Sequence, residues 1–454
     1  MSEPVESPTP DAAAQPSPGK ERLPSPERRS AVEAVRSIIG QGGLFFALIL
    51  AVVFFQITTQ GVMLKPLNVT NVFLQNGYIL VMALGMLLII VIGHIDLSVG
   101  SVAGFLGAIA AVFLVGYEVP VIGKLPQLDP ILAVAVTLIV GGLIGVWQGW
   151  WVAYLRVPSF IVTLAGMLLF RGATLFILQG QPVGPFPDSF RAISSGFIPE
   201  VIGQVPDPFG PTDIALPVFN VPLFGDIHLV LPLGGDPLSL TTIVLGALLS
   251  AGLIVLAWRS RAEQVKYGFE VSSVGSFAFR MVLVTLGVMF LAYRLAGYKG
   301  LPIVALLAFI LIGLYMFLTL RTTIGRRIYA VGGNAKAAML SGINSKRMVF
   351  ITFINMGMLA ALGGIIIAAR FNSATPKAGY GFELDVIAAT FVGGASAYGG
   401  VGTVFGTVIG ALFFGLLNIG MGVLSIPIDY QFMIKALVLL VAVYFDVRGK
   451  TRDA

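Results

Sequence analysis

Long runs of apolar residues alternate with short polar breaks from about residue 44 to residue 445. Many runs approach the ~20 residues that a helix needs to cross a bilayer core ~30 Å thick, and most are apolar on every face, as lipid-buried helices are. The pattern predicts an all-α polytopic membrane protein of about 10–12 transmembrane helices, some broken or re-entrant. The predicted spans are 44–60, 75–93, 97–117, 130–155, 159–178, 240–258, 281–296, 301–320, 349–369, 383–397, 401–424 and 430–445.

Composition supports the membrane prediction and removes several kinds of chemistry. Hydrophobic residues make up 57% of the chain and charged residues only 11%, whereas soluble domains carry roughly 25% charged residues. The chain has no cysteine and only two histidines. Disulfides and cysteine nucleophiles are therefore excluded, and we expect no metal site.

Lysine and arginine are concentrated outside the predicted spans, with five in residues 20–36, four in 259–280, six in 321–347 and three in 448–452. Segment 181–239 instead carries one arginine against six acidic residues. Because cytoplasmic loops are rich in lysine and arginine, we expect both termini and both basic loops in the cytoplasm, and segment 181–239 outside. This distribution explains the net charge of +6 without a nucleic-acid partner.

The pattern also divides the chain into regions. Residues 1–40 are rich in proline, serine and glutamate and predict a disordered cytoplasmic tail, which could become helical near 31–39. Residues 41–447 form the transmembrane domain, and 448–454 form a short cytoplasmic tail. For the C-terminal tail to lie in the cytoplasm, an odd number of crossings must follow the ninth span. Either 383–397 is a crossing or a later span is re-entrant, and the sequence leaves both alternatives open.

A few polar and charged side chains interrupt the apolar spans. Each charged one costs about 2.5–3.5 kcal/mol at the middle of a membrane, so it should face a cavity or a partner. One interpretation is a polar lining for a solute path; the alternative is structural ion pairs, or side chains that reach the membrane surface. The candidates are His94, Asp96 and Ser98 in the sequence GHIDLSVGS, together with Arg171, Asp385 and Lys435.

Two further patterns concern helix packing. Glycines recur at intervals of four, a spacing that lets helix backbones approach closely in lipid, at Gly141, Gly145 and Gly149 and again at Gly402, Gly406 and Gly410. Residues 95–100 weakly resemble residues 384–389, and a glycine-rich helix follows each. Transporters often carry such structural repeats, with the solute path between them.

Segment 325–344 has the pattern of a short capped surface helix between two spans. Asn334 can cap a helix over 335–341, and Gly342 can end it. A plain connector does not need such a helix, whereas a docking surface for a soluble partner does. The candidate coupling residues are Gly325, Arg326, Arg327, Asn334, Ala337, Ala338, Ser341 and Gly342.

The chain lacks an ATP site of its own. The sequence Gly449-Lys450-Thr451 is not a phosphate-binding loop, because position 444 is a tyrosine where that motif requires glycine. If transport is driven by ATP, the ATPase is therefore a different polypeptide.

Three motifs, GHIDLSVGS, GRRIYAVGGN…AAMLSGIN and ELDVIAATFVGGAS…GGVGTVFGTVIGA, resemble the ribose/xylose class of ABC-transporter permeases. The resemblance runs from about residue 70 to 446. The stretch WQGWWVAYLRVPSFIVTLAGMLLFRG and the additional span at 281–296 are similar to the xylose-transporting members of that class. His94 and the long proline-rich segment 181–239 depart from the pattern of the class.

The resemblance implies a pore subunit rather than an enzyme, in a bacterial inner membrane, that translocates xylose or a related sugar by alternating access. It implies a homodimer, a cytoplasmic ATPase that holds ATP and magnesium, and an extracytoplasmic sugar-binding protein, with no cofactor on this chain. The helix at 334–342 would couple the pore to the ATPase. Gln148 and the nearby Trp147, Trp150 and Trp151 could contact sugar, although interfacial anchoring explains the tryptophans as well. The alternative is an ion-coupled secondary sugar transporter.

Overall fold

The computed structural model describes residues 31–208, 213–215, 219–221, 225–227, 230–232, 237–269, 271 and 273–452. The chain divides into two units, 1–43 and 44–454. Most of the predicted disordered tail lies outside the described residues. Its last ten residues belong to the first helix, which begins at Ala31, where the sequence suggested a helical start.

Helices make up most of the described chain, and each of the twelve predicted spans overlaps one of them. The prediction of an all-α polytopic membrane protein is therefore confirmed. The helices are α1 Ala31–Thr58, α2 Pro66–Val91, α3 Val99–Val115, α4 Pro130–Ala153, α5 Ser159–Leu178, α6 Asp188–Ser195, α7 Leu240–Lys266, α8 Val274–Ala296, α9 Ile303–Arg321, α10 Thr323–Gly333, α11 Ala335–Leu340, α12 Ser345–Phe371, α13 Phe382–Val392, α14 Val404–Val423 and α15 Ile428–Arg452.

Eight helices of the described chain are long and apolar enough to cross a bilayer, namely α2, α4, α5, α7, α8, α9, α12 and α14. Shorter apolar stretches occur at Gly43–Thr58 in α1 and Val99–Val115 in α3. Helix α2 is the most buried of the eight, with 94% of its apolar window inside the protein. Helices α8, α9, α12, α13 and α14 pack against it.

The described strands are two or three residues long and lie between α3 and α7. They form four antiparallel pairs, β1 with β2, β3 with β8, β4 with β7 and β5 with β6. Their bounds are β1 Glu118–Val119, β2 Gly123–Lys124, β3 Gln204–Val205, β4 Asp213–Ala215, β5 Phe219–Val221, β6 Gly225–Ile227, β7 Val230–Pro232 and β8 Leu238–Ser239.

The bundle from residue 44 onward has two ends, which we name by their charge. The end of α2 contacts the end of α10 and the turn before α14, since Gly400 N donates to Val91 O at 2.8 Å. We call this end, with segments 259–280 and 321–347, the basic face. The opposite end holds the described residues 181–208 and the end of α12, where Phe186 N donates to Asn372 Oδ1 at 2.8 Å. We call it the acidic face.

Helices α2–α5 and α12–α15 repeat one arrangement in opposite directions. Each set begins with a long helix of 26 or 27 residues, passes through an irregular segment, 92–98 or 372–381, and continues with a shorter helix and then two more. The two long helices are antiparallel, because Gly85 of α2 lies against Met356 while Met82 lies against Gly363. The similar residues 95–100 and 384–389 do not fall at corresponding points of this repeat, because 95–98 precede α3 whereas 384–389 lie inside α13.

Glycines allow the backbones of this repeat to touch. A methyl group on Gly141 of α4 would lie 2.5 Å from the Gly357 carbonyl oxygen of α12. A methyl group on Gly410 of α14 would lie 2.0 Å from the Ala389 carbonyl oxygen of α13. Both distances are too short for a side chain, so these glycines pack backbone against backbone, as their four-residue spacing predicts.

Segment 372–402 runs from one face of the bundle to the other, which favours the alternative in which 383–397 is a crossing. It starts at the acidic face, where Ala374 pairs with Val183, and reaches the basic face at Gly400. Its helix α13 has only 11 residues, about 16 Å of length. Irregular backbone at 372–381 covers the remaining depth and packs on α3, because a methyl group on Gly104 would lie 2.2 Å from the Ala378 oxygen. Such backbone is tolerated inside a membrane when protein surrounds it.

Candidate functional site

The break between α2 and α3 is closed by hydrogen bonds from uncharged donors around one buried carboxyl group. Asp96 Oδ1 accepts from the backbone N of Ser98 at 2.8 Å and from its hydroxyl at 2.6 Å. Gln148 Nε2 of α4 donates to the Ser98 hydroxyl oxygen at 2.6 Å. A methyl group on Gly166 of α5 would lie 2.8 Å from Gln148 Nε2. The space between α4, α5 and the break is therefore filled.

His94 does not form a pair with Asp96. Among the described residues, Asp96 is bonded to Ser98 instead, and the His94 ring is centred 6.1 Å from the ring of Phe353. The structure thus brings Asp96, Ser98 and Gln148 together, whereas His94 lies beside an aromatic ring. Trp147, Trp150 and Trp151 are 37–47% exposed on the outside of α4.

The second break is held by an ion pair to α5. Arg171 Nη2 lies 2.8 Å from Glu383 Oε1, and the Arg171 guanidinium is 4.1 Å from the centre of the Tyr380 ring. Glu383 Oε2 is buried with no hydrogen-bond partner among the described residues, and it would lie 2.4 Å from a methyl group on Gly100. Arg171 therefore attaches the start of α13 to α5 while α3 closes against it.

A second ion pair joins α13 to α15. Lys435 Nζ lies 3.0 Å from Asp385, whose side chain is only 6% exposed. Asp385 and Glu383 are two residues apart in the first turn of α13, so their side chains point to different neighbours. The short helix is fixed by charge on two sides, by Arg171 on one and by Lys435 on the other.

A polar cavity lies beside the second ion pair. It consists of two adjoining parts of about 490 and 190 Å³, which share the residues Tyr78, Phe382, Asn418 and Gln431. Asn418 Nδ2 donates to Asn76 Oδ1 at 2.9 Å. Asp385 and Lys435 line the smaller part of this cavity, and Arg370 lines the larger part. Space and polar groups of this kind inside an apolar bundle mark a candidate solute path.

The basic face carries the short helix that the sequence predicts. Asn334 Oδ1 accepts from Ala337 N at 3.0 Å, which caps α11, and Gly342 follows the helix in a left-handed conformation at φ 79°. Met339 is 64% exposed and Leu340 is 87% exposed. Ala338 instead is buried, so only part of the predicted set of coupling residues can meet a partner.

The preceding helix α10 has one buried and one exposed side. Gly325, Ile328 and Val331 are buried, whereas Arg326 and Arg327 are exposed. The predicted coupling residues Ala337, Ser341 and Gly342 are exposed as well. The exposed surface of α10–α11 is therefore basic on α10 and apolar on α11.

The α10–α11 segment is attached directly to α2. A methyl group on Gly332 would lie 1.7 Å from the Val91 carbonyl oxygen, so the two backbones touch. The Tyr329 hydroxyl donates to Gly402 O at 2.8 Å, and burial raises the pKa of this hydroxyl, which keeps it protonated. Because α2 is one continuous helix, it joins the α10–α11 segment at one end to the cavity residues Asn76 and Tyr78.

The sequence found some of these residues and missed others. Of its candidates, Asp385 and Lys435 meet at the cavity, and Arg171 meets Glu383. Glu383 itself was not singled out, although it stands two residues before Asp385 at the start of a predicted span. Asn76, Asn418 and Gln431 were also missed. Their signal is an amide side chain in or beside an apolar run, which is weak because amides are tolerated there more easily than charges.

An inverted helical repeat with broken crossings, a polar cavity and an exposed helix on one face defines the chain as a transporter-type membrane protein. Comparison with known proteins makes the class specific. A family model described as "Branched-chain amino acid transport system / permease component" matches residues 68–204 and 227–443. The chain belongs to this family of permeases.

Several characterised relatives cover most of the chain. The xylose transport system permease protein XylH of Haemophilus influenzae is 34% identical over 409 residues, which is 90% of this chain and 96% of the relative. XylH of Escherichia coli K12 is 36% identical over 90% of this chain and 91% of the relative. The ribose import permease protein RbsC of Escherichia coli K12 is 34% identical over 84% of this chain and 85% of the relative.

No solved structure matches the chain. The predicted resemblance to ribose- and xylose-class permeases is confirmed by these relatives.

Proposed function

We propose that this chain is the membrane-spanning subunit of an ATP-driven sugar importer, and that its substrate is xylose or a related pentose. The observation that carries the proposal is the likeness to xylose permeases over 90% of the chain. The additional span predicted at 281–296 lies in α8, which is part of that matched length. The similarity to ribose import permeases is shorter, which favours xylose over ribose.

A separate ATPase subunit, which holds ATP and magnesium, binds at the α10–α11 segment. The exposed Met339 and Leu340 supply apolar contact area, and the exposed Arg326 and Arg327 supply charge beside it. The Asn334 cap makes α11 rigid in spite of its six residues. Closure of the ATPase displaces α11, and the contact between Gly332 and Val91 transmits the displacement to α2.

Movement of α2 changes the cavity, because Asn76 and Tyr78 line it from that helix. The bundle then opens alternately to its two faces, as in other transporters that move rigid groups of helices. This chain binds no cofactor and carries out no chemical step. Its part is to provide the path and to couple it to the ATPase.

The basic face is cytoplasmic and the acidic face is extracytoplasmic. Segments 259–280 and 321–347 hold ten lysines and arginines in total, whereas segment 181–239 holds one, a bias that sets orientation in bacterial inner membranes. A sugar-binding protein delivers its ligand to the acidic face. Two copies of this chain form the pore, and both chain termini lie in the cytoplasm.

Uptake into proteoliposomes tests the proposal. The chain is reconstituted with its candidate ATPase and binding protein, and uptake of xylose, ribose, arabinose and glucose is measured with and without ATP on the ATPase side. We expect uptake that requires ATP and favours xylose. Uptake by this chain alone that follows an ion gradient would refute the proposal in favour of a secondary transporter.

A surface substitution tests the docking site separately. Leu340→Glu should abolish the ATP hydrolysis that binding protein and sugar stimulate, because it places a charge in the apolar contact. Ile122→Glu is the control, since Ile122 is another exposed apolar residue (65%, against 87% for Leu340) outside α10–α11. Ala338 is unsuitable for this test because it is buried, so a charge there would disturb folding. Normal stimulation in Leu340→Glu would exclude α11 as the docking site.

A further inference from the structure

The polar cavity between α2, α12, α13, α14 and α15 has the chemistry of a carbohydrate site. Its larger part, about 490 Å³, is within the ~300–1,000 Å³ that small-molecule sites occupy. Most of its lining is apolar, with a few polar side chains among it, which is the usual composition of a site that orients a small ligand.

The aromatic and amide groups of this cavity are placed together. The rings of Tyr78 and Phe382 are centred 4.3 Å apart and tilted by 32°, and both residues line the cavity, where aromatic rings supply apolar contact area. Asn418 and Gln431 lie beside the rings and line both parts of the cavity. Amides can donate and accept at once, as neighbouring sugar hydroxyls require.

Asn418 retains unused hydrogen-bonding capacity. Its amide nitrogen donates to Asn76, whereas its Oδ1 is buried without a partner in the described part of the chain. A buried acceptor without a partner is costly, and a ligand that donates to it relieves the cost. A sugar hydroxyl is such a donor.

The charges of the cavity favour a neutral ligand. Asp385 and Lys435 neutralise each other at 3.0 Å. Arg370 lies in the last turn of α12, where the end of the helix favours a cation. A zwitterionic amino acid would have to compete with the existing ion pair for both of its charges, whereas a polyol forms hydrogen bonds without separating it.

The depth of the cavity fits a position on the transport route. Asn76 lies ten residues into α2, whereas Arg370 and Phe371 at the end of α12 line the same cavity, so the cavity extends from within the bundle toward the acidic face. The adjacent α13 is a half-length helix. Transporters commonly place substrate sites against discontinuous helices at the interface of the repeats.

We propose that this cavity is a monosaccharide subsite, in which Tyr78 and Phe382 pack on the sugar ring while Asn418 and Gln431 hydrogen-bond its hydroxyls. The proposal rests on the proposed function and specifies where the sugar binds within this chain during transport. The subsite lies in the permease itself and does not depend on the binding protein.

Saturation-transfer difference NMR detects weak binding and tests the subsite directly. The full-length chain in nanodiscs is given xylose, or leucine as a neutral amino acid, with no partner proteins present. We expect xylose ring protons to receive magnetisation and leucine to receive little. Gln431→Ala and Asn418→Ala should each weaken xylose binding by about fivefold to tenfold, as the loss of one hydrogen bond does.

Asn355→Ala is the matched control for these variants. It also removes a largely buried amide from a membrane helix, but Asn355 bonds Tyr315 and does not line the cavity. We expect Asn355→Ala to bind xylose normally. Equal loss in this control, unchanged binding in both cavity variants, or stronger transfer to leucine than to xylose would each overturn the subsite.

A second measurement separates this proposal from the first. In the reconstituted complex, Gln431→Ala should lower the amount of xylose carried per ATP hydrolysed while stimulated ATP hydrolysis persists. If the wild-type complex shows no ATP-dependent uptake, the proposed importer function is refuted, whereas an NMR signal from xylose would still support the subsite. A wild-type complex that transports xylose while the chain shows no NMR signal would overturn the subsite alone.

Discussion

The two broken crossings of this protein share a backbone plan but differ in side-chain chemistry. In the first crossing, segment 92–98 with α3, the break is closed by the hydrogen bonds of Asp96, Ser98 and Gln148. In the second, segment 372–381 with α13, two ion pairs reach outward to α5 and α15. The polar cavity adjoins the second crossing, whereas the space beside the first is filled.

This difference indicates that the two halves of the inverted repeat have different roles. A short hydrogen-bonded break of seven residues fixes the fold of the first half. The second half places charged groups on a helix too short to span the membrane, and it leaves a cavity beside them. The central claim of our account is that the solute path runs along the second crossing, and that the first crossing is structural.

Glu383→Ala should have the largest effect on stability, since it removes the anchor of α13. The substitution leaves the Arg171 guanidinium without its carboxylate inside the bundle, and breaking a buried pair costs about 3–5 kcal/mol. Arg171 is one-quarter exposed, so we expect a value near 3 kcal/mol. Thermal unfolding in detergent, followed by fluorescence-detected size exclusion, measures the loss.

The double variant Arg171→Met/Glu383→Leu provides the control for this prediction. An apolar pair removes both charges, and it should restore most of the stability lost in Glu383→Ala. If the double variant is less stable than Glu383→Ala, the ion pair is not what holds α13 to α5.

Lys435→Met should have an intermediate effect. It leaves Asp385 buried without its cation, but a carboxyl group can take up a proton and so avoid a buried charge. We therefore expect a loss of about 2 kcal/mol, with Asp385→Asn in the same background recovering part of it. The same thermal assay applies, and a stability equal to wild type would show that this pair contributes nothing to the second crossing.

Ser98→Ala should have the smallest effect of the three, because it removes a hydrogen-bonding hydroxyl and breaks no ion pair. It removes the hydroxyl that bonds Asp96 and Gln148, while the backbone N–H of residue 98 remains bonded to Asp96. A loss of about 1–2 kcal/mol is expected for a buried hydrogen bond of this kind. A loss larger than that of Glu383→Ala would reverse the comparison between the two crossings.

The sequence predicts most of the helices and little of the site. Apolar length located a helix at each of the twelve predicted spans, eight of which are long and apolar enough to cross a bilayer. The Asn334 cap with Gly342 located α11 to within one residue. Hydropathy could not show that α13 covers half of a crossing, because residues 372–381 are polar enough to be read as a loop. The partners of Arg171 and Lys435 lie 212 and 50 residues away, and only the folded bundle brings them into contact.

The cavity residues also could not be paired from the sequence alone. Asn76 and Asn418 are 342 residues apart and meet because α2 and α14 are antiparallel. Single amides in apolar runs carry no signal of their partner. Ala338 was included among the coupling residues because the sequence predicts its helix. Which face of that helix is buried depends on tertiary packing, which the sequence of the segment does not show.

Cysteine accessibility tests the central claim most directly, because the chain has no cysteine of its own. Asn418→Cys would report on the cavity of the second crossing, and Ser101→Cys, at a position 2% exposed, on the first. In the reconstituted complex, a water-soluble thiol reagent should label the cavity cysteine at a rate that changes when ATP closes the ATPase, and should leave residue 101 unlabelled throughout. Labelling at residue 101 with the same nucleotide dependence, and none at residue 418, would place the path along the first crossing and contradict the account.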